Sequence, residues 1–142
     1  DICYNHLREQ CLGDYKEVYA YRGVSVEVIT EGEFTVMMSE SLASVLLTNL
    51  LKNAFVHVTE GGVIRILFTT ESMVVANSGE QPLDGERIFE RFYQGHKKEG
   101  STGLGLALAE SVCKSSGLDI RYEFTEGMHR FTVSRSGSER VG

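Results

Sequence analysis

The stretch EGSTGLGLALAESV, Glu99 to Val112, decides between several folds that carry a glycine-rich loop. A phosphate-binding P-loop requires a lysine and a hydroxyl residue directly after its last glycine, because the ammonium and the metal-bound oxygen must reach the same phosphates. Here Gly105 is followed by Leu106 and Ala107. Dinucleotide and protein-kinase loops need the order G-x-G-x-x-G, and counting from Gly103 puts Leu108 at the third glycine position. What remains is a glycine segment feeding an apolar helix, expected from Thr102 to Ser116 and ended by Gly117. The unpaired backbone N–H groups at the start of such a helix suit an anion.

The surrounding composition predicts one globular domain. With 142 residues, 42% hydrophobic and 24% charged, with one proline, the chain is long enough to bury its own core. No apolar run approaches the roughly 20 residues that span a bilayer, and no basic-then-apolar signal segment opens the sequence, so no direct membrane contact by this chain is expected. Cys3, Cys11 and Cys113 lack paired C-x-x-C spacing and imply neither a disulfide framework nor a zinc site, which fits a reducing cytoplasm. A net charge of -6 argues against nucleic acid as a partner. Asp1 stands where an initiator methionine would, which suggests a fragment of a longer protein.

Along the chain, residues 1–20 carry interrupted helical spacing (Ile2, Leu7, Cys11, broken by Gly13) and read as the tail of an upstream helical segment, outside the core. VSVEVI (Val24 to Ile29) and FTVMM (Phe34 to Met38), with EGE between them, predict a hairpin. Ser39 caps a helix expected over Glu40 to Val58. GGVIRILFTT and SMVVAN give two strands around TES, and LDIRYEF and MHRFTV a closing hairpin around EG. Residues 137–142 read as a tail. Helices mixed with several hairpins predict an α/β fold, a two-layer α/β sandwich with helices on one face of the sheet.

On the helix SLASVLLTNLLKNAFVHV, Leu42, Val45, Leu46 and Leu50 mark the expected buried arc, and Asn49, Asn53 and His57 fall inside it. An unpaired buried amide costs about 1–3 kcal/mol, so each needs a partner. Two readings are open. Either these are core amides bonded to backbone, or the face lines a polar ligand cavity in which an asparagine oxygen meets a hard cation such as Mg²⁺.

NLLKNAFVH, IFERFYQ (Ile88 to Gln94) and GSTGLGLAL (Gly100 to Leu108) resemble, in order and spacing, the N, F and G2 boxes of the GHKL ATPase superfamily in the form found in sensor histidine kinases. The resemblance runs from about Tyr21 to Ser134 and implies a GHKL domain over residues 21–136, with a mixed sheet. It implies ATP and Mg²⁺ as cofactors and Asn53 as the metal ligand and catalytic residue. The implied ATP-binding set is Asn49, Asn53, His57, Asn77, Gly79, Lys97, Lys98, Gly100, Ser101, Thr102, Gly103, Leu104 and Gly105. Val56 stands where a basic residue is often found, which leaves His96, Lys97 and Lys98 as candidates to meet phosphate charge, although a short basic run also suits a solvated loop.

Two departures shape the expected chemistry. The usual Asp-x-Gly-x-Gly reads Asn77-Ser78-Gly79-Glu80-Gln81, so the adenine amine would meet a neutral amide oxygen. Asn49 occupies the position where gyrase-like and Hsp90-like members keep a water-activating glutamate. The resemblance therefore implies a kinase domain that passes the γ-phosphate to a histidine on a separate dimerisation domain, with a downstream response regulator, as the cytoplasmic part of a membrane-anchored sensor. His6, followed by Leu7, lacks the acidic neighbour of a phosphoacceptor. A nucleotide-binding module without transfer and an anti-sigma-like serine kinase are the alternative readings.

Overall fold

The structure is a computed structural model and describes residues 1–13, 23–83, 87–89 and 105–136. In chain order the elements are β1 (Ile2–Cys3), α1 (Tyr4–Gly13), β2 (Ser25–Thr30), β3 (Thr35–Val36), α2 (Glu40–His57), β4 (Val63–Phe68), β5 (Ser72–Ser78), α3 (Gly105–Ser115), β6 (Leu118–Thr125) and β7 (Met128–Arg135).

Strict alternation builds the main sheet. In VIRILF, Ile64, Ile66 and Phe68 are buried and the residues between them half-buried, the period of a strand with one covered face. Among the described residues five strands pair in the order β2-β4-β5-β7-β6, with β2 parallel to β4 and the other neighbours antiparallel. The register aligns three rows on the helix-facing side. They are Val26–Ile64–Asn77–His129–Phe124, Val28–Ile66–Val75–Phe131–Tyr122, and Thr30–Phe68–Met73–Val133–Ile120. Two rows are largely apolar; the first carries a polar pair at its centre. The β6–β7 hairpin turns at Glu126 (φ 53) and Gly127 (φ 73), both left-handed as a two-residue turn of this twist requires.

α2 and α3 pack together, α2 lies over β5 and α3 over β6, so the mixed sheet carries its helices on one face as expected. Ser39 accepts from the Leu42 N–H at 3.1 Å and caps α2. The expected strands around TES and the closing hairpin are both present. The helix expected from Thr102 is described from Gly105 to Ser115.

Three expectations are corrected. Residues 24–29 and 34–38 do not form a hairpin: β2 pairs in parallel with β4, while β3 pairs antiparallel with β1 in a separate ribbon. Alternation marks a strand but not its partner, and here Asn5 bridges the place where a hairpin would close, donating to the Gly32 carbonyl and accepting from Phe34 N–H, both at 3.0 Å. The N-terminal segment is not outside the core: Tyr4 is fully buried and Leu7 buried. Lastly, the buried arc of α2 is Ala43, Leu46, Leu47, Leu50, Leu51, Ala54 and Phe55, whereas Leu42 and Val45 are 40% and 37% exposed. The helix is apolar on more than one side, so its own spacing left two arcs in competition; Leu47, Leu51 and Phe55 decided for the sheet-facing one.

Candidate functional site

The corrected arc places Asn49, Asn53 and His57 together on a half-buried stripe at the edge of the core. Their fates differ. Asn49 Nδ2 donates to the Val45 carbonyl at 2.8 Å, the backbone-bonded arrangement that was one of the two readings. A Cβ placed on Gly105 would lie 3.0 Å from Asn49 Oδ1, so the first turn of α3 sits against this amide. Asn53 makes no side-chain hydrogen bond among the described residues, which leaves its oxygen available to a hard cation. His57 lies half-buried in the last turn of α2.

Asn77 is 1% exposed, at the centre of the polar row on the central strand. Its Nδ2 donates to the Ser78 carbonyl at 3.0 Å, which fixes the amide's orientation and leaves Oδ1 with no donor among the described residues. A nearly buried acceptor without a protein donor is a built complement to an N–H group of a ligand.

Three hydrogen bonds that the sequence reading missed hold this end of β5 in place. Ser78 Oγ lies 2.8 Å from Thr59 Oγ1 and accepts from Val63 N–H at 3.1 Å, while its carbonyl accepts from Thr59 N–H at 3.2 Å. The loop leaving α2 is thereby tied to the strand that carries Asn77. Gly62 is required here, since any Cβ on it would collide with Ser78 Oγ. Beyond the strand, a Cβ on Gly79 would collide with the His129 ring, which faces Asn77 across the β5–β7 pair. A single histidine on an apolar strand gave no signal in the sequence; only the register sets it beside the N-S-G segment.

Ile88 of the F-box segment is buried in the core, and Phe89 meets Phe131 edge-on at 6.2 Å. Lys97, Lys98, Gly100, Ser101, Thr102, Gly103 and Leu104 lie outside the described residues. Cys113 is buried on α3, and its thiol is pushed up to about 12 by burial and, secondarily, by Asp119 and Glu110, so it is inert as a ligand or nucleophile at neutral pH. Among the described residues one other group, Cys3, His6 and Glu33, brings possible ligand atoms within 4.8 Å of one another; it stands on β1, α1 and the β2–β3 connection, and its His6–Glu33 pair is solvent-exposed. No helix among the described residues is long and apolar enough to cross a membrane.

The model of the histidine kinase-, DNA gyrase B- and HSP90-like ATPases matches residues 38–138. The chain is 33% identical over 122 residues to the sensor histidine kinase RppB of Synechocystis, spanning 78% of this chain and 27% of RppB. It is 33% identical over 85 residues to the sensor protein QseC of Escherichia coli, spanning 57% of this chain and 19% of QseC. The chain thus covers about a quarter or less of these relatives' length. In fold it is similar to the nucleotide-free catalytic domain of the histidine kinase ThkA, with a TM-score of 0.78 at 22% identity over 93% of this chain and 91% of that one. ThkA is also known in complex with the response regulator protein TrrA, where the TM-score is 0.74 at 21% identity over 97% of this chain and 41% of that one. With a matched model over most of its length and a mixed sheet that carries its helices on one face, the chain belongs to the histidine kinase-, DNA gyrase B- and HSP90-like ATPase family.

Proposed function

We propose that this domain binds Mg²⁺-ATP between α2 and the glycine-rich segment ahead of α3 and passes the γ-phosphoryl group to a histidine on a separate dimerisation domain of the same protein, from which a response regulator takes it. The observation that carries this reading is the pair of side-chain oxygens left without donors in an ATP-binding fold, Asn53 on the helix and Asn77 on the central strand. Asn53 supplies an oxygen of the kind a hard cation takes, and a bound Mg²⁺ supplies charge neutralisation at the phosphates. Asn77 Oδ1 accepts from the adenine amine, with less strength than a carboxylate would give. His57, Lys97 and Lys98 are the side chains of the sequence that would meet phosphate charge, with Gly79 and the glycine-rich segment 100–105 completing the nucleotide-binding set. The ATP-binding domain comprises residues 21–136 together with the N-terminal segment that packs into its core, on the cytoplasmic side of a membrane-anchored sensor.

Asn49 is committed to α2 and to Gly105 and has no carboxylate to activate water. Catalysis then rests on positioning, which contributes about 7–11 kcal/mol when an acceptor is oriented. The chain alone is expected to bind Mg²⁺-ATP, hydrolyse it slowly and not label itself. Calorimetric titration with Mg²⁺-ATP, paired with melting curves, tests the site. Asn53→Ala is expected to abolish the Mg²⁺-dependent part of the affinity while the melting temperature moves by no more than a few degrees. Incubation with γ-labelled ATP and a histidine-bearing helical acceptor domain is expected to give alkali-stable, acid-labile label on the acceptor. Acid-stable label on the chain by itself would point to a serine kinase, and no label with any acceptor to a binding module.

A further inference from the structure

The polar pair next to Asn77, buried His129 and half-buried Tyr122, has more structure than packing requires. Tyr122 Oη accepts from the Leu83 N–H at 2.8 Å and lies 2.8 Å from His129 Nδ1. The hydroxyl thus joins the Leu83 backbone to the imidazole, whose Nε2 end abuts Gly79. The two rings stack at 5.9 Å, and Phe124 and Phe131 flank them at 4.9 and 5.1 Å. Gly79 N–H also donates to the Gly127 carbonyl at 2.9 Å, in the turn just ahead of β7. Residues 79–83 are therefore held at both ends by the β6–β7 hairpin, at Gly79 by His129 and Gly127 and at Leu83 by Tyr122. This is the chain that leaves the strand carrying Asn77.

We infer that His129 and Tyr122 are positioning residues for base recognition: they clamp residues 79–83 so that Asn77 Oδ1 stays aimed at an amine-bearing purine, and thereby set selectivity for a 6-amino over a 6-oxo base. The base-selective part rests on the nucleotide reading above; the clamp itself does not. Asn77 needs this support more than an acid would. A carboxylate presents an acceptor in either orientation, whereas an amide turned over presents donors and would welcome a 6-oxo purine instead. The Ser78 carbonyl holds the amide one way round, and the clamp fixes the backbone on its far side.

Tyr122→Phe removes one hydroxyl and leaves the ring, His129→Leu removes its hydrogen-bond partner, and His129→Asn restores a hydrogen-bonding group near the Nδ1 position. The chain and each variant are measured in two ways: amide hydrogen exchange without nucleotide, and competition of ADP and inosine diphosphate against a fluorescent ADP analogue. Tyr122→Phe and His129→Leu are each expected to speed exchange over residues 79–83 and to lower the ADP preference about tenfold, the worth of one hydrogen bond. The double variant loses little more than either single one, and His129→Asn recovers most of the preference. Lower melting temperatures with an unchanged ADP preference would make the pair merely structural and overturn the specificity role. Unchanged exchange over residues 79–83 in Tyr122→Phe would overturn the clamp whether or not nucleotide binds. A wild-type chain that binds neither nucleotide would overturn the nucleotide reading and the selectivity with it, and faster exchange in the variants would still uphold the clamp.

Discussion

Ser78 uses both its hydroxyl and its carbonyl to join the end of β5 to the loop after α2. None of these three bonds is visible in the sequence, where N-S-G reads as an ordinary turn. Ser78→Ala would leave the Val63 N–H without its side-chain acceptor and Thr59 Oγ1 without its neighbour. The expected cost is about 1–3 kcal/mol of stability in urea titration, together with weaker ATP binding, because Asn77 is the adjoining residue. Gly62→Ala is expected to cost a further share by collision with the same hydroxyl, and the pair should be less than additive, since removing Oγ relieves part of the clash. Strict additivity would show that Gly62 is constrained by Thr59 alone.

At the scale of an element, α3 is set by what it packs on rather than by its sequence alone. Gly105 opens it against Asn49, Ala109 and Val112 bury on the core, and Cys113 is enclosed with Asp119 at the start of β6 close enough to act on it. Burial favours the neutral thiol, so the folded chain holds this proton to about pH 12 while the unfolded chain releases it from about pH 9. Between those values the unfolded state binds fewer protons than the native state, and stability falls as pH rises. Unfolding free energies measured across pH 8 to 11 should show a downward slope that Cys113→Ala removes, and the native thiol should resist alkylation at pH 8. A slope unchanged by the substitution would assign the loss to other groups.

On the scale of the whole molecule, the N-terminal segment is the least expected part of the core. Tyr4 stacks on Phe34 at 5.7 Å, donates to Met38 Sδ at 3.2 Å and is fully buried, and β1 pairs with β3. Arg135, at the far end of the chain, reaches the same place: its guanidinium donates to the Thr35 carbonyl at 2.8 Å and lies 5.4 Å from the Phe34 ring centre. The small ribbon and the large sheet are thus fastened by both ends of the described chain. Tyr4→Ala is expected to destabilise the domain by about 3–5 kcal/mol, as other large aromatic truncations do. A cost below about 1 kcal/mol in urea titration would show that the ribbon is detachable.

The sequence by itself determined what depends on local pattern and on motif. Alternation marked VIRILF and SMVVAN as strands, Ser39 marked the start of α2, and three motifs in register marked the family. The tertiary structure alone decided everything that depends on which surface faces which. The buried arc read on α2 ran through Leu42, Val45, Leu46 and Leu50 until the sheet turned the helix toward Leu47, Leu51 and Phe55, which moved Asn49, Asn53 and His57 from the core to its edge. The strands at 25–30 and 35–36 had no partners until β4 and β1 claimed them. His129 and Tyr122 acquired a role only because the β5–β7 register sets a histidine opposite Asn77. Periodicity encodes the conformation of a segment, but pairing, helix rotation and the partners of a buried polar group are set by contacts between residues far apart in sequence, where a local pattern carries no information.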